Sequence, residues 1–88
     1  MTSNDMLKIE FFTGPHCELC NHALALISEL KELEPRAHTM SLDMLNIRDN
    51  PEHYHLYAVR IPLLRRVDSG AELGWPFELE ALKKFLSL

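Results

Sequence analysis

Apolar and polar positions alternate near the start of this chain and then change to a helical spacing. Residues 6–12 alternate around apolar side chains, and this pattern predicts a β-strand. A turn containing Gly and Pro follows over residues 13–16. From Glu18 to Leu33 apolar residues recur close to helical spacing, which predicts an amphipathic helix that ends before Pro35. The chain therefore opens with a strand, a tight turn and a helix.

The remaining pattern predicts three more strands and two more helices. These are a strand over residues 37–43, a short helix over 51–58, strands over 63–67 and 71–73 joined by a turn, and a helix over 78–88. A right-handed crossover makes the first two strands parallel, and the last two form an antiparallel hairpin. We therefore expect an α/β fold of order β-α-β-α-β-β-α, with a four-stranded mixed sheet and helices on both faces.

Length and composition narrow the class of protein. The 88 residues, 47% hydrophobic and 25% charged, fit one small folded domain over residues 1–88. A formal net charge of −4 argues against a nucleic-acid partner. No apolar run approaches the roughly 18–20 residues that span a bilayer, and residues 1–5 lack the pattern of a signal peptide. We expect a cytoplasmic monomer that contacts no membrane.

The two cysteines of the chain, Cys17 and Cys20, stand at the predicted start of the first helix. A thiol in that position faces unpaired backbone N–H groups and the positive end of the helix dipole. Both favour the thiolate, which is the nucleophile of disulfide exchange. In a cytosolic protein a lone cysteine pair is more often catalytic or metal-binding than structural. The spacing and position together indicate a dithiol redox site.

Three motifs stand in order along the chain: FFTGPHCELC, DNPEHYHLYAVRIP and GWPF. Their order and spacing resemble the glutaredoxin-like branch of the thioredoxin-fold superfamily over nearly the whole length. The resemblance implies a thioredoxin-like fold in which Cys17 is the nucleophile and Cys20 the resolving thiol. It also implies a cis bond between Ile61 and Pro62, placed opposite the dithiol, with the Ile61 backbone free to pair with an extended substrate.

The chain also departs from the glutaredoxin pattern at three places. Gly14 stands where these proteins usually carry a lysine that helps to bind glutathione, and Glu18 and Leu19 replace the usual Pro-Tyr pair. Gly74 and Trp75 stand where a Gly-Gly motif usually cradles the glutathione tail. The thiol chemistry therefore carries over better than the glutathione site. Glutathione remains a possible co-substrate, and we expect no bound cofactor.

Other candidate binding residues have two interpretations each. His16 can support the Cys17 thiolate or shuttle a proton, or it is an exposed turn histidine. Arg60 can pair with a substrate carboxylate such as one of glutathione, or it is a solvated charge. Trp75 can shape a groove beside Pro62, or it caps the last helix.

The leading hypothesis is a small thiol–disulfide oxidoreductase of the glutaredoxin type, acting on a protein that carries a disulfide or a glutathionylated thiol. The alternative is a non-enzymatic binding module that docks a peptide or partner at the edge formed by Ile61 and Pro62. A zinc site is a third interpretation of the cluster His16, Cys17, Cys20 and His22. Structural zinc sites usually draw a second ligand pair from a separate segment, so we expect no metal.

Overall fold

Residues 7–88, the part of the chain that this computed structural model describes, contain four strands and three α-helices. Met6, with which the predicted first strand begins, and residues 1–5 lie outside it. The elements are β1 (Leu7–Thr13), α1 (Glu18–Leu33), β2 (Met40–Asn46), α2 (Pro51–Tyr57), β3 (Leu63–Arg66), β4 (Glu72–Gly74) and α3 (Leu79–Phe85). The predicted element order is confirmed. Within the described residues no helix has the length and apolar character needed to cross a bilayer.

The strands form one mixed sheet in the order β2-β1-β3-β4. β1 and β2 are parallel, with Leu7 opposite Met40 and Thr13 opposite Asn46. β3 runs antiparallel to both β1 and β4. The parallel first pair and the antiparallel last pair are as predicted, because a helical crossover joins the former and a short turn joins the latter. The strand order and the antiparallel pairing of β1 with β3 were not predicted.

Two cores lie on opposite faces of the sheet. Ile9 and Phe11 point to the face covered by α1 and α3, whereas the next side chain, Phe12, points to the face covered by α2. Neighbouring residues of a strand alternate in this way, so Leu64 joins the first core and Leu63 the second. Helices on both faces are thus confirmed. Since both faces of β1 are buried, the end of this strand holds the following turn in a fixed position.

The predicted second strand over residues 37–43 begins too early. Residues Pro35–Thr39 form a 3-10 turn, and the strand is Met40–Asn46. Pro35 has the fixed φ that suits the first position of a helical turn, and the Thr39 hydroxyl donates to the Arg36 carbonyl at 2.8 Å. The prediction treated the proline as the end of a helix and missed that it also begins a turn.

The last helix ends before the predicted residue 88. α3 ends at Phe85, and Ser87 has a left-handed φ of 61°. The guanidinium of Arg66 donates to the Phe85 carbonyl at 2.7 Å and to the Asp68 carboxylate at 2.7 and 3.0 Å. The hydrogen bond and the charge of Arg66 lower the pKa of Asp68. A side chain of β3 therefore provides a partner for a free carbonyl at the end of α3.

Candidate functional site

The two cysteines form a disulfide at the first turn of α1. Cys17 is the N-cap of the helix, and its sulfur accepts a hydrogen bond from the backbone N–H of Cys20 at 3.1 Å. Their Cα atoms are 5.2 Å apart, inside the ordinary range for a disulfide. Cys17 is half-buried, whereas Cys20 is only 2% exposed and packs in the core under α1 and α3. A substrate can therefore reach Cys17 more easily than Cys20.

This geometry favours a negative charge on Cys17 when the pair is reduced. The N–H of Cys20 points at the sulfur, and the 16 residues of α1 place the positive end of a helix dipole there. Glu18, exposed in the first helical turn, opposes the thiolate through its own negative charge. Two features of the site, the hydrogen bond and the helix dipole, thus favour a thiolate at Cys17, and Glu18 opposes it.

His16 adopts a left-handed backbone conformation, with a φ of 55°. Few residues other than Gly do so, although His is among those enriched there. The conformation turns the chain sharply before Cys17 and leaves His16 exposed at the cleft beside the disulfide. Within residues 7–88 no three His, Cys, Asp or Glu side chains are arranged to hold a metal ion.

A cleft of about 460 Å³ lies beside the disulfide, between the turn and the end of β2. The side chains that matter for its chemistry are His16, Cys17, Glu18, Cys20, Asn21 and Met44. Among the described residues that line it, none is Lys or Arg. Met44 was missed because the predicted second strand ended at residue 43. In the observed register it lies opposite Phe11, and it is 46% exposed.

The Ile61–Pro62 bond is cis, as the resemblance implied. Pro62 is buried and Ile61 half-buried. A Cβ atom added to Gly14 would lie 2.9 Å from the Ile61 Cδ1 atom, closer than real Cβ atoms approach a neighbour. Gly14 therefore lets the turn before Cys17 pack directly against Ile61. A side chain at this position would require the flexible end of the Ile61 side chain to shift.

Gly74 and Trp75 lie beside the cis-proline segment, Ile61 and Pro62. Gly74 ends β4 opposite Leu63, and the backbone N–H of Trp75 donates to the Pro62 carbonyl at 3.1 Å. The half-buried ring of Trp75 packs against the core under α1 and α3 and meets Phe77 edge-to-face at 5.1 Å. The Trp75–Pro76 bond is a second cis bond, which the sequence did not predict. Trp75 thus has its backbone beside Pro62 and its ring against the helical face.

Arg60 already has a partner within the protein. Its guanidinium binds the Glu72 carboxylate at 2.8 Å and lies over the Tyr57 ring at 5.9 Å. It is not among the described residues that line the cleft beside the disulfide. A role for Arg60 in binding a substrate carboxylate stays a prediction, and it would require the pair with Glu72 to open.

Residues 8–87 match the model of the family described as "Glutaredoxin-like domain (DUF836)". The chain belongs to this family. The resemblance to glutaredoxin-like proteins of the thioredoxin-fold superfamily is thereby confirmed. No curated protein matches the chain.

Solved structures show the same fold. Protein XcR50 from X. campestris is 24% identical, with 90% of this chain and 95% of that one covered at a TM-score of 0.74. Protein Ne2328 from Nitrosomonas europaea is 21% identical, with 97% and 96% covered and a TM-score of 0.74. Thioredoxin 1 from Thermosipho africanus is 17% identical, with 91% and 94% covered and a TM-score of 0.59. The predicted thioredoxin-like fold is confirmed.

Proposed function

We propose that this protein is a thiol–disulfide oxidoreductase of the glutaredoxin type that cycles Cys17 and Cys20 between dithiol and disulfide. One observation carries the proposal: the sulfur of the half-buried Cys17 caps α1 and accepts a hydrogen bond from the Cys20 N–H, while Cys20 itself is buried. A reactive thiol needs stabilisation of its thiolate and access to a substrate, and Cys17 has both. Membership of the glutaredoxin-like family supports the same chemistry.

The reaction proceeds through a mixed disulfide. The Cys17 thiolate attacks one sulfur of the substrate disulfide, and the other substrate sulfur leaves as a thiolate that takes a proton. Cys20 then loses its proton and attacks the Cys17 sulfur, which releases the second substrate thiol. The substrate gains two electrons and two protons, and the protein keeps the Cys17–Cys20 disulfide. Two equivalents of a thiol reductant such as glutathione return it to the dithiol.

We propose a protein with a disulfide or a glutathionylated thiol as the substrate. Glutathione carries two carboxylates, and the described lining of the cleft offers them no Lys or Arg. Arg60 is paired with Glu72, and Gly14 stands where glutaredoxins usually carry a lysine. Turnover with glutathione alone should therefore be slow compared with that of a typical glutaredoxin. The proposed location is the cytoplasm, where glutathione and other reductants keep thiols reduced.

The test compares the wild-type protein with Cys17→Ser and Cys20→Ser. Each is reduced and mixed with a small aromatic disulfide whose released thiol is coloured. We expect the wild type to release two thiols per protein, Cys20→Ser to release one and remain as a mixed disulfide, and Cys17→Ser to react slowly. Equal rates for the two single variants, or rates no faster than those of free cysteine, would contradict the proposal.

A non-enzymatic docking module is the second candidate. Val59, in the loop that leads to Ile61 and Pro62, is 96% exposed, which is unusual for an aliphatic side chain. This loop could hold a partner without any thiol chemistry. A pH profile of alkylation separates the two candidates, because the docking module needs no reactive cysteine. Brief alkylation of the enzyme should label Cys17 well below the pH at which free cysteine reacts.

A further inference from the structure

A second groove lies on the other flank of α1, between this helix and the segment that joins β4 to α3. Its volume is about 540 Å³. Leu26, Trp75, Phe77 and Leu79 form the apolar floor of this groove. Glu29 and Glu78 supply two carboxylates to its lining. None of these residues takes part in the thiol chemistry described above.

The floor of this groove is held in place by the fold. Phe77 is only 6% exposed and packs edge-to-face with Trp75. Trp75 is in turn fixed by the hydrogen bond from its backbone N–H to the Pro62 carbonyl. The aromatic surface therefore needs little ordering when a ligand binds, and this lowers the entropic cost of binding.

The groove contains two carboxylates, those of Glu29 and Glu78, and one imidazole, that of His22. Neither Glu29 nor Glu78 forms an ion pair within residues 7–88, and no Lys or Arg is among the described lining residues. Glu78 is the N-cap residue of α3, but its side chain does not cap the helix. Both carboxylates are exposed. They are available to a positively charged ligand, because no partner in the described part of the protein neutralises them.

The groove is linked to the dithiol through the cis-proline segment. Trp75 binds Pro62, and the preceding Ile61 packs against Gly14, three residues before Cys17. A substrate segment bound along these contacts would connect the Cys17 sulfur with the groove. Two successive side chains of an extended peptide point to opposite sides, so an apolar anchor on the floor leaves its charged neighbour directed outward, where the exposed Glu29 and Glu78 lie.

We infer that this groove binds a segment of the protein substrate beside its disulfide, in which an apolar side chain is next to Lys or Arg. The apolar side chain packs on Trp75 and Leu26, and the cation lies between Glu29 and Glu78. This inference rests on the proposed oxidoreductase function and adds a substrate class to it. Anionic segments and glutathione itself are disfavoured by the two carboxylates.

Trp75, the one tryptophan of the chain, allows binding to be measured without any thiol reaction. The experiment uses the Cys17→Ser/Cys20→Ser double variant and short blocked peptides without cysteine, containing Leu-Lys, Leu-Glu or Gly-Lys. We expect Leu-Lys to change the Trp75 emission in a saturable way, with an affinity about five- to tenfold above that of Leu-Glu. Gly-Lys should bind more weakly than Leu-Lys, and added salt should reduce the preference for Lys over Glu.

Matched charge variants test the position of the carboxylates. Glu29→Gln with Glu78→Gln should remove the preference for Leu-Lys over Leu-Glu. Glu32→Gln with Glu80→Gln removes the same charge from the same two helices at positions outside the groove, and should retain the preference. Equal binding of Leu-Lys and Leu-Glu to the unmodified groove, or equal effects of the two double substitutions, would overturn the assignment.

Kinetics separates this inference from the proposed function. The wild-type protein is assayed with a small uncharged disulfide and with disulfide-linked Leu-Lys and Leu-Glu peptides. We expect all three to be reduced, with a lower KM for the Leu-Lys peptide and a similar kcat. If the small disulfide is not reduced, the oxidoreductase proposal fails. If it is reduced but the two peptides have equal KM values, only the groove assignment fails.

Discussion

Replacement of Arg66 by Met should destabilise the protein much more than the same change at the neighbouring Arg65. The Arg66 side chain is only 18% exposed, and its guanidinium binds Asp68 through two atoms while it also donates to the Phe85 carbonyl at the end of α3. Arg65 makes a single pair with Glu10 at 3.0 Å, and its side chain is 41% exposed. The two substitutions remove the same group from the same strand, so their difference isolates the contacts of Arg66.

The magnitude follows from the bond to the helix end. A hydrogen bond from a charged donor contributes about 1.5–3 kcal/mol net, and the Phe85 carbonyl loses its guanidinium donor when Arg66 is replaced. Met keeps most of the apolar stem, so little packing is lost. We therefore expect about 2 kcal/mol for Arg66→Met, which lowers the Tm of a domain this size by roughly 8–16 °C. Arg65→Met breaks a surface pair and should cost at most about 1 kcal/mol.

Thermal and urea unfolding of the oxidised proteins, followed by circular dichroism, measures both values. Arg66→Lys should lie between Arg66→Met and the wild type, because an ammonium group cannot reproduce the planar fork that binds Asp68 and the Phe85 carbonyl together. The reasoning would be refuted if Arg66→Met and Arg65→Met lowered the free energy of unfolding equally. The reasoning would also fail if Arg66→Met changed only the slope of the urea transition and left its midpoint unchanged.

Three further predictions follow from local contacts. Asn50→Ala removes the side chain that accepts two N–H groups at the start of α2, and urea unfolding should show a loss of about 1 kcal/mol. Gly14→Ala places a methyl group against the Cδ1 end of the Ile61 side chain, which can shift, so unfolding should show a loss at the low end of the overpacking range, about 1 kcal/mol. Asp68→Asn should reduce stability at neutral pH. Arg66 lowers the pKa of Asp68 below its usual value of 3.8, so the contribution of Asp68 is present above that value. It is lost as the pH falls through the lower folded pKa, and unfolding curves of wild type and Asp68→Asn should converge in acid.

Features with strong local signals could be predicted from the sequence. Cys17 and Cys20 were placed at the first turn of a helix because a strand, a Gly-Pro turn and an amphipathic segment surround them. A capping Asp49 or Asn50 followed by Pro51 indicated the start of α2, and in the structure the cap is Asn50, whose side chain accepts the first-turn N–H groups. These signals are local, since neighbouring side chains and backbone groups produce them.

Features set by contacts between distant segments could not be predicted in the same way. The cis Ile61–Pro62 bond was expected only through the family resemblance, and the cis Trp75–Pro76 bond was not expected at all. The close approach of Gly14 to Ile61 joins two positions that are far apart in the sequence. Spacing within a single segment carries no information about such contacts.

The electrostatic character of the site is decided by pairing rather than by net charge. A net charge of −4 says little about which carboxylates a substrate meets. In the structure Glu72 pairs with Arg60, whereas Glu29 and Glu78 stay unpaired within the described residues. If Arg60 were unpaired, a protein with the same net charge would offer its guanidinium to an anionic ligand such as glutathione. The observed pairing is consistent with the proposed cationic segment, and a change at Glu72 should alter the response to anionic substrates more than a change at Glu29 or Glu78. Glu72→Gln frees Arg60, and its ratio of glutathione-dependent to peptide-dependent turnover should rise, whereas an unchanged ratio would show that Arg60 does not reach the substrate.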